Sequence, residues 1–206
     1  MEAALRLIRE RGVDAVALRH VAEQVETGPA SLYAYFGSRD ILLEHVLDAA
    51  YAHVKLAEVG EGERGFDWRE ALSATIVNTI ETLEGFPGLG TVALGTIPVL
   101  PGALRLAEHE LALMELGGIA PSRAALAVDL IAQFAASSAI ERTVRLDGRR
   151  GDARREQVRA VYDTADARRF PHLRQSAALL TGPNEQERRD FAIQVLIDGI
   201  ESPRVP

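Results

Sequence analysis

The sequence predicts an all-α protein, with a small N-terminal three-helix domain carrying a helix-turn-helix and a larger helical domain behind it. Two observations carry this expectation. Between Leu18 and Phe36, two short amphipathic stretches are separated by a break that leaves room only for a turn. Beyond about residue 68, four longer segments place apolar residues three and four apart, and the chain between them is punctuated by Gly and Pro.

In the first of these stretches, Val21, Ala22 and Val25 recur at helical spacing, so Leu18 to about Val25 reads as one helix. Glu26, Thr27 and Gly28 break the period. Pro29 sits where a helix tolerates proline best, in the first turn, and Thr27 or Gly28 can cap it. Ala30 to Phe36 then forms a second helix, with Leu32 and Phe36 four apart on its buried side. A helix delivered in this way can enter a DNA major groove.

The stretch SLYAYFGSRDILL, Ser31 to Leu43, resembles the DNA-binding domain of TetR-family transcriptional regulators. The family's Leu-Tyr-x-(His/Tyr)-Phe signature is met by Leu32, Tyr33, Tyr35 and Phe36, followed by the basic Arg39 and a Leu-rich helix from Leu42. Upstream, Ala3 to Gly12 resembles the family's first helix with Gly12 as its stop, and Arg19 matches the basic residue that opens the second. The likeness covers roughly the first quarter of the chain and departs in three places, one being that the sequence opens inside the first helix without the basic arm many members carry. Glu26 holds the turn position usually given to Gly, which asks a side chain to enter the left-handed region. Ala17 stands where Ser or Thr would cap the second helix, a difference of about 1 kcal/mol.

Composition adds bounds. A chain of 206 residues can bury a sizeable core in one or two domains. With no cysteine there are no disulfides or thiolate metal sites, which suits a reducing cytoplasm. The one long uncharged run, Gly85 to Leu104, holds three prolines and five glycines, so it reads as broken helix and not as a membrane span. The net charge of -7 is unfavourable for a nucleic-acid binder, and residues 1–56 hold six basic against eight acidic side chains. A DNA-facing surface must therefore be sorted locally, with Arg19 and Arg39 towards the phosphates.

Farther along, Ile41 to about Glu58 continues as an amphipathic helix, GEGERG at Gly60 to Gly65 is a turn, and Trp68 to Leu83 is the next helix. The domain division is expected at 1–48 and 49–206. Pro101 to Leu116 resumes a helix, stopped by Gly117 and Gly118. Pro121 to about Leu146 and about Glu185 to Ile200 are apolar on two sides, so each should be buried on two sides. One side can face its own domain and the other a partner, which makes Leu130, Ser137, Ile140, Val144, Ile193 and Ile197 the candidate dimer interface. The resemblance implies the same arrangement. The arginine-rich Leu146 to Arg169 reads as a loop plus a polar helix; a second nucleic-acid patch is the alternative, but the interleaved acidic residues make it solvated surface.

For DNA contact the candidates are Arg19, Thr27, Gly28, Pro29, Ala30, Ser31, Tyr33, Tyr35 and Arg39. Arg19 and Arg39 read as phosphate clamps, and Tyr35 as the better DNA candidate of the two tyrosines, since Tyr33 can equally pack between helices. Ala30 and Ser31 offer only weak base readout, so shape and backbone placement should carry much of the specificity. Asn78 and Gln133, polar residues within apolar helices, join Trp68, Ile97, Leu113, Met114 and Phe134 as candidate pocket residues. An internal hydrogen bond or simple exposure is the competing account of both polar residues. His109, beside Glu108 and Glu110, reads as a surface or pocket-lining histidine. The five histidines show no metal-binding spacing, and no catalytic or nucleotide-binding motif occurs, so neither cofactor nor metal is expected.

The whole reads as a non-enzymatic, ligand-responsive regulator of the TetR type: a homodimeric repressor on double-stranded operator DNA, released by a small apolar effector and independent of membranes. Effector binding would displace the Gly85 to Leu104 run and tilt the helix beginning at Ile41. The rival readings are a sequestering protein with a degenerate helix-turn-helix and a helical enzyme.

Overall fold

The structure, a computed structural model, describes residues 1–58, 66–145 and 148–202, with the backbone alone at 143–145 and 148–152. The described residues form helices and turns: α1 (Glu2–Arg11), a 3₁₀ turn (Val13–Ala15), α2 (Leu18–Gln24), α3 (Pro29–Phe36), α4 (Arg39–Ala52), α5 (Trp68–Glu84), α6 (Leu89–Gly95), α7 (Pro101–Leu116), α8 (Pro121–Arg145), α9 (Gly148–Asp163), α10 (Pro171–Gln175), α11 (Ala177–Thr181) and α12 (Glu185–Glu201). They divide into two compact units, residues 1–143 with 195–206, and residues 144–194.

The helix ends follow local chemistry. Gly12 stops α1 at φ 77°, Ser38 caps α4 by accepting the Ile41 N–H at 3.2 Å, and Asp67 caps α5 through Arg69 N–H at 2.9 Å. Ala17 is the N-cap of α2 in extended conformation, with no side-chain bond to offer. The turn between α2 and α3 passes through Glu26 at φ 51°, the only non-glycine with positive φ among the described residues. There Thr27 N–H donates to Ala22 O at 3.0 Å.

One apolar core runs from α1 through α4 into α5–α7: Leu5, Ile8, Leu18, Phe36, Leu42, Val46 and Leu47 pack with Leu83, Phe86, Leu89 and Leu106. The expected division after residue 48 thus falls inside α4, with buried neighbours on either side of it. Two close approaches fasten the halves of this core. Val13 N–H donates to Pro87 O at 2.9 Å, and next to it a Cβ at Gly88, which has φ 89°, would overlap the Val13 side chain. Likewise, a Cβ at Gly102 would overlap the Asp48 carbonyl, so α7 can lie against α4 only because that position is glycine.

Two features differ from expectation. The helix expected to reach about Glu58 ends at Ala52, because Arg105 on α7 takes its terminal carbonyls: Nη2 donates to Val54 O at 2.7 Å, Ala52 O at 3.2 Å and Tyr51 O at 3.3 Å. The polar helix expected within Leu146 to Arg169 is present as α9, whereas the short helices α10 and α11 have no period long enough to read. Positions 59–65, where GEGERG lies, are outside the described residues.

Because Ala17 leaves the first N–H groups of α2 uncapped, Ala17→Ser should raise stability by about 1 kcal/mol. Urea unfolding of the two proteins, compared at equal slope, measures it.

Candidate DNA interface and effector region

Helix α3 is unusual for its composition. It is apolar and aromatic, yet of its eight residues only Phe36 is buried. Phe36 anchors it edge-on between Tyr35, at 4.7 Å between ring centroids, and His45 of α4, at 5.4 Å. The opposite side presents Pro29, Ala30 and Ser31 to solvent, together with Tyr33 at 54% and Tyr35 at 76% exposure. Gly28 is the N-cap, and Thr27 is half-buried without capping. Leu32 packs with Phe36 against the core, and a short helix held on that side with aromatics exposed on the other is a surface built to meet a partner.

The two arginines expected to clamp phosphates part company. Arg19 is exposed at the start of α2 and touches only its neighbour, Nε donating to His20 Nε2 at 3.2 Å. Arg39, in contrast, is committed within the fold. Its Nε donates to Val16 O at 2.7 Å and its Nη2 to Val13 O at 2.8 Å, with Asp14 at 3.9 Å. It staples the start of α4 to the α1–α2 connection, and this corrects its reading as a free phosphate clamp. Charge-assisted bonds to carbonyls are the stronger kind, and both are local to the interface helices.

A family model described as "Bacterial regulatory proteins, tetR family" matches residues 1–46, and one described as "Tetracyclin repressor-like, C-terminal domain" matches 61–204. This chain belongs to the TetR family. Its membership makes it a DNA-binding transcriptional regulator and not an enzyme. Among curated relatives, the HTH-type transcriptional repressor DrrR1 of Streptomyces coeruleorubidus is 26% identical over 208 residues, 98% of this chain and 75% of that protein. Among solved structures, ActR of Streptomyces coelicolor in complex with actinorhodin superposes with a TM-score of 0.85 at 27% identity, covering 97% of this chain and 93% of that one. ActR in complex with (S)-DNPA gives 0.83 at 26% identity, with the same coverage.

In this TetR-family chain the residues expected to form an effector pocket do not converge. Leu113 and Met114 are sealed in the core, whereas Ile97 is 84% exposed. Trp68 lies over Gly117, where a Cβ would overlap its indole. Asn78 Nδ2 donates to Lys55 O at 2.7 Å, tying α5 to the chain after α4. Gln133 is exposed and bonded to Asp129 one turn away at 2.7 Å, and Phe134 beside it is half-buried. Both polar residues thus have protein partners.

The polar interior lies elsewhere, where α4, α5 and α7 meet. Thr75, Thr79 and Glu110 are buried, the glutamate at 3% exposure. Thr75 Oγ1 donates to Ala71 O at 2.9 Å and pairs with His109 Nε2 at 3.2 Å. Glu110 sits on α7 next to His109. Its burial pushes its carboxyl up to about 8, while Tyr51 is pushed up to about 12 by its own burial and then by Glu110. His109 is lowered, by burial first and by Arg105 second. A shallow surface cleft is lined on α4 by Glu44, Leu47, Asp48 and Tyr51 and across from it by Thr96 to Leu100. Of the expected pocket residues, Ile97 alone lines it. Glu110 carried no signal in the sequence, since its burial depends on neighbours far along the chain.

The expected dimer residues also separate. On α8, Leu130 is half-exposed and Ser137 exposed, but Ile140 turns inward to α6, its Cγ1 within 3.1 Å of where a Gly90 Cβ would stand. Ile193 and Ile197 of α12 are 2% and 3% exposed, so they belong to their own subunit's core; the exposed flank of that helix is Phe191 and Val195, at 71% and 53%. The side chain of Val144 lies outside the described residues.

Two predictions arise here. Arg19→Ala should flatten the salt dependence of operator binding by about 0.9 in log–log slope, one phosphate contact, whereas Arg39→Ala should leave the slope and cost about 1.5–3 kcal/mol of stability. Salt titrations and urea unfolding of both variants separate the roles. Glu110 has a folded pKa above its unfolded value, so the folded state holds the extra proton between about 4.5 and 8. Its contribution is fully present below about pH 4.5 and is lost as pH rises through 8. Glu110→Gln, neutral at every pH, should flatten the fall of Tm between pH 5 and pH 9, measured at roughly one-unit steps.

Proposed function

We propose that this TetR-family chain is a repressor that binds a palindromic operator as a homodimer in the cytoplasm and is released by a small, largely apolar effector. The observation that carries the reading is α3. Its exposed, uncharged face, with Pro29, Ala30, Ser31, Tyr33 and Tyr35, is suited to the major groove, while Phe36 fixes it to α4. Ligand response is supported by the ActR complexes and by the attachment of α4 to α7. Two recognition helices must sit about one DNA turn apart, ~34 Å, to engage both half-sites. An effector that binds against α4 and prefers a different placement of it lowers operator affinity; one with no preference shifts nothing.

For the dimer we assign the exposed apolar flanks, Leu126 and Leu130 on α8 and Phe191 and Val195 on α12. Each pair is one helical turn apart, and a two-fold axis would present the same residues from both subunits.

Selection from random duplexes should enrich a palindrome, and the effector should weaken its binding. No enriched motif even at low salt would leave the sequestering reading. Leu130→Glu and Val195→Glu should each yield a folded monomer, since the buried carboxylate occurs twice per dimer and costs several kcal/mol per ion. Sedimentation reads this, with Ile197→Glu expected to lose folded structure in circular dichroism because that side chain is core. An unchanged dimer in both surface variants would place the interface elsewhere.

A further inference from the structure

We infer that His20 is the positioning residue for Arg19 and works only as the neutral ring, which makes the contact of Arg19 with operator phosphate sensitive to protons. This rests on the reading of the chain as an operator-binding regulator and deepens the account of its DNA face.

Two hydrogen bonds fix the imidazole from both ends. Its Nδ1 lies 2.9 Å from Ala15 O, and its Nε2 accepts from Arg19 Nε at 3.2 Å. A carbonyl oxygen can only accept, and a guanidinium can only donate. Nδ1 therefore carries the proton and Nε2 offers its lone pair, so a single neutral tautomer makes both bonds. Neighbouring residues on a helix point roughly 100° apart, and their side chains do not ordinarily meet. Here the half-buried ring is held at the start of α2 by a carbonyl of the 3₁₀ turn, and the exposed Arg19 is bonded to it. That turn is itself held by Arg39, which takes the carbonyls of Val13 and Val16, before and after Ala15. A route of hydrogen bonds thus leads from α4 through the turn and His20 to Arg19. The last bond uses Nε, and the Nη1 and Nη2 groups are left as the flat, two-pronged donor that suits a phosphate.

A proton added at Nε2 removes the acceptor and sets two cations 3.2 Å apart. Arg19 then leaves the ring. Glu23, four residues on along the same side of α2, offers it a carboxylate instead. Asp14 of the 3₁₀ turn faces Arg39 at 3.9 Å. Helices α1 and α3 pack on α2, but their charged and titratable side chains past the first residue, Arg6, Arg9, Glu10, Arg11, Tyr33 and Tyr35, are exposed. Arg19 is the charge set against the ring. The same proton adds a positive charge to the DNA face and strengthens binding to any duplex. The signature is therefore how much Arg19 contributes to affinity, and not affinity itself.

The quantity to measure is the ratio of operator Kd between Arg19→Ala and its parent, on the full chain. It is taken with His20, His20→Leu and His20→Gln at about pH 8 and about pH 5, which bracket ordinary imidazole titration. An added charge on the face cancels in this ratio. With His20 the ratio should be about three to ten times larger at the higher pH, the size of one net hydrogen bond. His20→Leu should hold the low value at both. His20→Gln, whose amide sets an acceptor beside a donor and does not titrate, should hold the high value at both. A ratio that ignores pH with His20, or one that His20→Leu leaves intact, overturns the inference. If urea unfolding shows His20→Leu to be unfolded, the pH dependence of the parent and its absence in His20→Gln decide the matter. A ratio near one throughout takes Arg19 off the DNA, and this inference with it. Failure to select an operator removes the repressor reading instead, and the pairing is then read from the ring nitrogen-15 shifts of His20. An Nδ1–H tautomer at the higher pH upholds it, and an Nε2–H tautomer overturns it.

Discussion

The contact between α4 and α7 is the constraint on which the rest of the molecule depends. It is made three ways within a few residues. Gly102 removes the side chain that would collide with the Asp48 carbonyl, the Asp48 carboxylate accepts the Ala103 N–H, and Arg105 takes the last carbonyls of α4. The last two also oppose charge to helix ends, an acid at the start of α7 and a guanidinium at the end of α4. Helix α4 is in turn the support of α3, through Phe36 and His45, and of the α1–α2 connection, through Arg39. Helix α7 is therefore connected to the recognition helix through hydrogen bonds and packed rings.

This arrangement explains how an acidic protein can be built for DNA. The first three helices mix both signs of charge, with Arg19 exposed at the start of α2, and more acid lies on the α4 face that lines the cleft. Glu23 on α2 adds acid near α3, and so does Glu26, an acidic side chain in a left-handed turn beside it. It combines local strain with repulsion of phosphate, and a turn of that kind persists only because both flanking helices are packed on the same core. The same core explains the position of Glu110. Helices α4, α5 and α7 close around it, so its carboxyl is held near neutrality by burial.

Much of the fold was legible in the sequence, because helix boundaries are local. Gly12, Pro29 and Asp67 mark ends through their own backbone or side-chain chemistry, and Ala17 and Glu26 show in the sequence as the departures the structure contains. The anchor at Phe36 and the exposed tyrosines follow from spacing on an eight-residue helix. What spacing could not decide is which of two apolar flanks faces inward. On α12 the inward flank is Ile193 and Ile197, and the outward one is Phe191 and Val195; both satisfy the same 100° period. Nor could it say where a long polar side chain ends. Arg39, Arg105 and Asn78 reach carbonyls 23 to 54 residues away, and only the assembled helices bring those acceptors within 3.3 Å. The sequence by itself determined the elements, the family and the recognition helix, since these depend on neighbours along the chain. The tertiary structure decided the α4–α7 grip, the buried carboxyl and the cleft, because each depends on groups that only packing makes neighbours.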